Sequence, residues 1–78
     1  MSRPPAEHIH WRKTPGSSNV REVGWDRHKR MFVKFRSGSV YVYDGVSRQR
    51  AVATSRASSV GEYINHVIVP NYPAVRVA

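Results

Sequence analysis

From Met31 to Tyr43 the chain reads Met31-Phe32-Val33-Lys34-Phe35-Arg36-Ser37-Gly38-Ser39-Val40-Tyr41-Val42-Tyr43. Two apolar runs with period-two character flank a glycine-bearing turn, the pattern of a β-hairpin. The phase of that hairpin decides what its tyrosines do. A two-residue loop, Ser37-Gly38, pairs Lys34 with Tyr41 and Phe32 with Tyr43, leaving both phenols on a basic, aromatic open face. A three-residue loop, Arg36-Ser37-Gly38, pairs Val33 with Tyr41 and Met31 with Tyr43. The longer loop sets Gly38 at the left-handed position of a G1 bulge, where glycine is favoured. It also collects Val23, Trp25, Met31, Val33, Phe35, Tyr41 and Tyr43 on one apolar face, so it is the register expected.

The same reading extends to both sides. Val20 to Asp26 forms a first strand, Asp26 to Lys29 a polar turn, Arg30 to Arg36 a second strand and Ser39 to Asp44 a third, ended by Gly45. Three sequential strands with short links pair as a meander. Val46 to Ala57 reads as a helix capped by Ser47, with a thin apolar side of Val52, Ala53 and Ala57. Arg48, Arg50 and Arg56 face solvent. Ser59-Val60-Gly61-Glu62 has the form of a capping box. Val60, Tyr63, Ile64 and Val67 continue it as one buried helical stripe, which Pro70 stops. The fold class expected is α+β: a three-stranded antiparallel β-meander followed by two short helices packed on one face.

The ends are less patterned. Residues 1–16 hold Pro4, Pro5, Pro15 and Gly16 among polar and basic residues, the composition of a flexible basic N-terminal arm. Trp11 is the exception there, and two readings stay open: docked on the domain, or unpacked until a partner arrives. Residues 74–78 form either a C-terminal tail or a short extra strand.

Seventy-eight residues make one small domain, with net stability of ~3–5 kcal/mol. The chain has no cysteine, so no disulfide or thiolate metal site reinforces it, in keeping with a reducing compartment. No apolar stretch approaches the ~20 residues of a membrane span. No apolar segment follows the N-terminal basic residues as in a signal peptide. A cytoplasmic location is expected.

Charge changes the picture most. Thirteen Lys and Arg against five Asp and Glu give a formal net charge of +8, a surplus that attracts polyanions or merely keeps a small protein soluble. Arg27, Lys29 and Arg30 surround the first turn, Lys34 and Arg36 point away from the core, and Phe32 lies among them. An aromatic between cations on an open sheet is how single-stranded RNA is stacked and held. Arg48 adds a cation from the first helix. The competing reading is a protein-interaction module, a homo-oligomer or a phage-type binder of a host protein. It would use a free sheet edge or the Phe32, Val40 and Val42 patch.

Catalysis finds no support in the residues. The carboxylates are Glu7, Glu22, Asp26, Asp44 and Glu62; Asp26 and Asp44 sit at turns where aspartate bonds its own backbone, and Glu62 has a capping role. A serine nucleophile, Ser17 or Ser18 with His28, matches no motif. His8-x-His10, His28 and His66 make an incomplete ligand set. His66 is better explained by the helix C-terminus. No enzyme activity, metal or cofactor is expected.

Taken in order, Ser17-Ser18-Asn19-Val20, Val23-Gly24-Trp25-Asp26, Met31/Val33/Phe35, Gly38, Tyr41-Val42-Tyr43 and Val46 resemble the first half of the KTSC domain. Ser59-x-Gly61-x-Tyr63-Ile64-Asn65, with Ala57 before it and Ile68 and Tyr72 after, resembles its second half. The resemblance assigns residues 17–73 to that domain and makes Tyr41, Tyr43, Ser59, Gly61, Tyr63 and Asn65 its motif positions. The family occurs at the C-terminus of some lysyl-tRNA synthetases and as small bacterial and phage proteins. The resemblance therefore implies RNA contact and attaches no catalytic residue. Three departures stand out: Trp25 replaces a usual tyrosine, Ser47 a common proline, and arginines occupy the first helix where bulkier apolar residues are expected.

Overall fold

The computed structural model describes residues 8–78. Its elements are β1 (His10–Lys13), β2 (Val20–Trp25), β3 (Arg30–Phe35), β4 (Val40–Asp44), α1 (Arg48–Arg56), α2 (Val60–Tyr63), a π-helical stretch (Ile64–Ile68) and β5 (Ala74–Arg76). The five strands form one antiparallel sheet in the order β1-β2-β3-β4-β5. The sheet thus has five strands where three were expected. The two additional strands are its edges, and every residue in both is exposed. Alternation as brief as Ile9-x-Trp11 or Val75-x-Val77, with no buried face behind it, is a weak strand signal. His10 to Lys13 is therefore sheet rather than arm, and residues 1–7 of the expected arm lie outside the described residues. Residues 74–76 take the short-strand alternative.

Turn chemistry sets the register. At the β3–β4 hairpin, Phe35 N–H donates to Ser39 at 2.8 Å and Gly38 N–H to Phe35 at 2.9 Å, with Gly38 at φ +102°. Met31 pairs with Tyr43 and Val33 with Tyr41, the three-residue-loop register. Between β2 and β3, Asp26 organises the turn from a nearly buried position, 8% exposed. One carboxylate oxygen accepts from the backbone N–H groups of His28 (2.9 Å) and Arg30 (3.1 Å), and the other from Arg30 Nε at 2.8 Å. Lys29 takes the left-handed conformation at φ 61°.

The core lies on one face of the sheet. Val20, Val23, Met31, Val33 and Tyr43 pack against Val46, Ala51, Val60, Ile64 and Ile68, with Trp25, Phe35 and Tyr41 at the margin. Both tyrosines thus face the helices, and burial, then the neighbouring Tyr41, raises the Tyr43 hydroxyl above its ordinary pKa. A bulge between Val20 and Glu22 explains how Val20 and Val23, three residues apart, both reach the core. The extra residue restores the phase and leaves Arg21 outside.

The helices correct three expectations. On α1 the buried residues are Ala51, Thr54 and Ser55, not Val52, Ala53 and Ala57. The Thr54 and Ser55 hydroxyls donate to the carbonyls of Arg50 (2.7 Å) and Val52 (2.8 Å), so they enter the core with their polar atoms satisfied. Ser47 does cap α1, accepting from Arg50 N–H at 3.1 Å. Ser59 makes no side-chain capping bond to α2, so the expected capping box is not formed. Past Tyr63 the helix widens, with Val69 N–H reaching Ile64 at 2.8 Å. The wider turn moves the buried stripe to Val60, Ile64 and Ile68, leaving Tyr63 and Val67 only partly covered. Among the described residues, no helix is long and apolar enough to cross a membrane.

Candidate nucleic-acid interface

Opposite the helices, the sheet presents a row of register partners: Trp11, Gly24, Phe32, Val42 and Val75, one from each strand. Gly24 makes the row possible. A Cβ there would stand 2.8 Å from the Trp11 ring and 2.9 Å from Ile9 Cγ2, so the missing side chain is the seat of the indole. Trp11 settles beside Phe32, ring centroids 6.0 Å apart and planes 54° apart. It remains 38% exposed.

Cations frame this aromatic pair. Lys34 Nζ sits 4.9 Å from the Trp11 ring centroid, and the Arg30 guanidinium carbon 5.8 Å from that of Phe32, both in cation–π range. Lys34 also lies 3.6 Å from Glu22. Arg30 is held by Asp26 at 2.8 Å. Burial alone would raise the Asp26 pKa, but the His28 and Arg30 N–H bonds and the Arg30 guanidinium outweigh it. The carboxyl is held below its ordinary value. Beyond Lys34, a concavity of about 340 Å³ is lined by Lys13, Pro15, Arg21, Glu22 and Arg36. Arg36 Nε donates to the Ser17 carbonyl at 3.0 Å, which fixes the arginine at this end of the sheet.

Of the residues singled out in the sequence, Phe32, Lys34 and Arg30 come together on this face, and Arg36 stands at its end. Arg27 and Lys29 are exposed in the β2–β3 turn. Arg48 is separate, on α1 beside a shallow groove with Val52 and Arg56. Lys13 and Arg21 were not singled out. Alternation of Ile9, Trp11 and Lys13 was the available signal for Lys13, whereas Arg21 faces outward only because of the bulge. For Trp11, the docked alternative is the one found.

The motif positions lie elsewhere. Tyr41 and Tyr43 belong to the core side. Ser59, Gly61 and Asn65 line a polar cleft of about 680 Å³ against the β1–β2 loop, where a Cβ on Gly61 would meet Asn19 Oδ1 at 2.7 Å. The Tyr63 hydroxyl accepts from Arg50 Nη1 at 2.8 Å. His10, half of the expected histidine pair, stacks on Trp25 with centroids 6.3 Å apart.

The KTSC domain profile matches residues 16–72. The chain belongs to the KTSC domain family. An uncharacterized protein of Stutzerimonas stutzeri (strain A1501) is 33% identical over 57 residues, spanning 72% of this chain and 80% of the relative. The crystal structure of a KTSC domain protein from Yersinia pestis has the same fold. It superposes with a TM-score of 0.80 at 21% identity, covering 90% of this chain and 99% of that one. Trp11 and β5 fall outside the matched KTSC segment, so the aromatic row combines family and flanking residues.

Proposed function

We propose that this KTSC protein is a non-catalytic binding module that holds nucleic acid, RNA foremost, against the outer face of its sheet. The observation that carries the reading is the cluster of Trp11, Phe32, Lys34 and Arg30, two aromatic rings each with a cation in cation–π range. The net charge of +8 supplies the long-range attraction. The absence of cysteine supports a cytoplasmic setting. Binding measured against salt tests it. With ~6 phosphate contacts, affinity falls about 10³-fold between roughly 50 and 200 mM salt. Salt-independent binding, or none at low salt, rejects the proposal.

A second reading has its own observation. Among the described residues the β5 edge has no strand on its outer side, and Val75 (65%) with the following Val77 (55%) is exposed there, which suits strand addition by a second copy or a host protein. Light scattering of the wild type and of Val75→Lys separates the two: oligomers that this change disperses favour the edge.

A further inference from the structure

We infer that the outer face takes single-stranded nucleic acid, with unpaired bases on the Trp11–Phe32–Val42 row and phosphates along the Lys13–Arg21–Arg36 concavity. The inference rests on the nucleic-acid reading above and goes further by assigning each part of the ligand to a part of the sheet.

The apolar row crosses the strands. Neighbouring strands lie ~4.8 Å apart, so Trp11 to Val42 extends over about 14 Å, room for about two or three bases. Bases rest on the rings rather than between them. Trp11 and Phe32 are 6.0 Å apart, and a base sandwiched by two rings needs about 7 Å, twice the stacking rise.

Positive charge is heavier on one side of that row. Lys13 and Lys34 occupy the next outward positions, and Arg21 and Arg36 lie beyond them around the concavity. Its carboxylate, Glu22, is engaged by Lys34 at 3.6 Å. The other flank, at the β2–β3 turn, carries Arg27, Lys29 and Arg30 but sets two carboxylates among them: Asp26 holds Arg30 at 2.8 Å, and Asp44 is the register partner of Arg30. A duplex offers phosphates on both flanks and hides its base faces. A single strand offers phosphates on one side and bare bases on the other, which is the asymmetry of this surface. Lys13 follows Trp11 by two residues, about 7 Å along β1, a separation suited to a phosphate and the base it carries.

The test titrates the full chain with three probes of equal phosphate number at about 50 mM salt. They are a single-stranded RNA of about ten nucleotides, the same backbone lacking bases, and a duplex. The RNA should bind about 10-fold or more tightly than the abasic strand. Trp11→Leu should lose about 5- to 100-fold on RNA, as expected for a stacking contact, and nothing on the abasic strand. Lys13→Gln and Arg36→Gln should weaken both alike. Equal affinity for the abasic strand, or preference for duplex, overturns the inference while leaving the nucleic-acid reading in place. Failure of all three probes to bind removes both. If Trp11→Leu does not fold, the wild-type comparison of RNA with abasic strand decides alone.

Discussion

Gly24 and Trp11 are built as seat and occupant: the indole lies where a side chain on β2 would stand, 2.8 Å from the Cβ that glycine lacks. Gly24→Ala therefore forces either the strand or the indole to move. We expect a loss of about 1–3 kcal/mol, together with a red shift of Trp11 fluorescence recorded in a Trp25→Phe background. Unchanged melting and an unshifted spectrum would show that the seat yields without cost.

Asp26 links the β2–β3 turn to acid stability. Its folded pKa lies below the ordinary value of 3.8. Its contribution is therefore complete above that value and is lost as pH falls through the lower folded one. Asp26→Asn should cost about 1.5–3 kcal/mol at neutral pH. It should also flatten the fall of stability below the ordinary carboxylate pKa, measured by urea unfolding across an acid series. A variant whose acid limb parallels that of the wild type would remove Asp26 as its source.

The π-helical stretch makes a contrast between adjacent residues. Ile68 is fully buried, while Val67 is only partly covered. Ile68→Ala should cost about 2–5 kcal/mol and Val67→Ala clearly less, by chemical denaturation. The reverse order would restore the regular α-helical stripe.

The hairpin core was legible because each signal agreed with the others: glycine in the left-handed position, alternation on both strands, and a coherent apolar set. Asp26, acting as a turn residue, was legible on the same grounds. What escaped detection had a physical reason in each case. β1 and β5 bury no residue, so the brief alternation of Ile9 with Trp11 and of Val75 with Val77 joins no core face; β1 reads as arm, and β5 stays one of two alternatives. Val20 reaches the core through a bulge that no single-residue property announces. Thr54 and Ser55 are buried because their hydroxyls bond to their own helix, a feature invisible to hydropathy. The aromatic half of the outer face was half legible: Phe32 declared itself among cations, while Trp11 needed the bare backbone of Gly24 to gain a place.

Among the described residues, β1 pairs with one strand, β2, and carries its indole across to Phe32. Any molecule that clasps Trp11 from outside also clamps the sheet's first margin. Occupancy of the surface and amide protection at His10 to Lys13 should rise together, so an edge strand that buries no residue becomes the fold's own reporter of engagement.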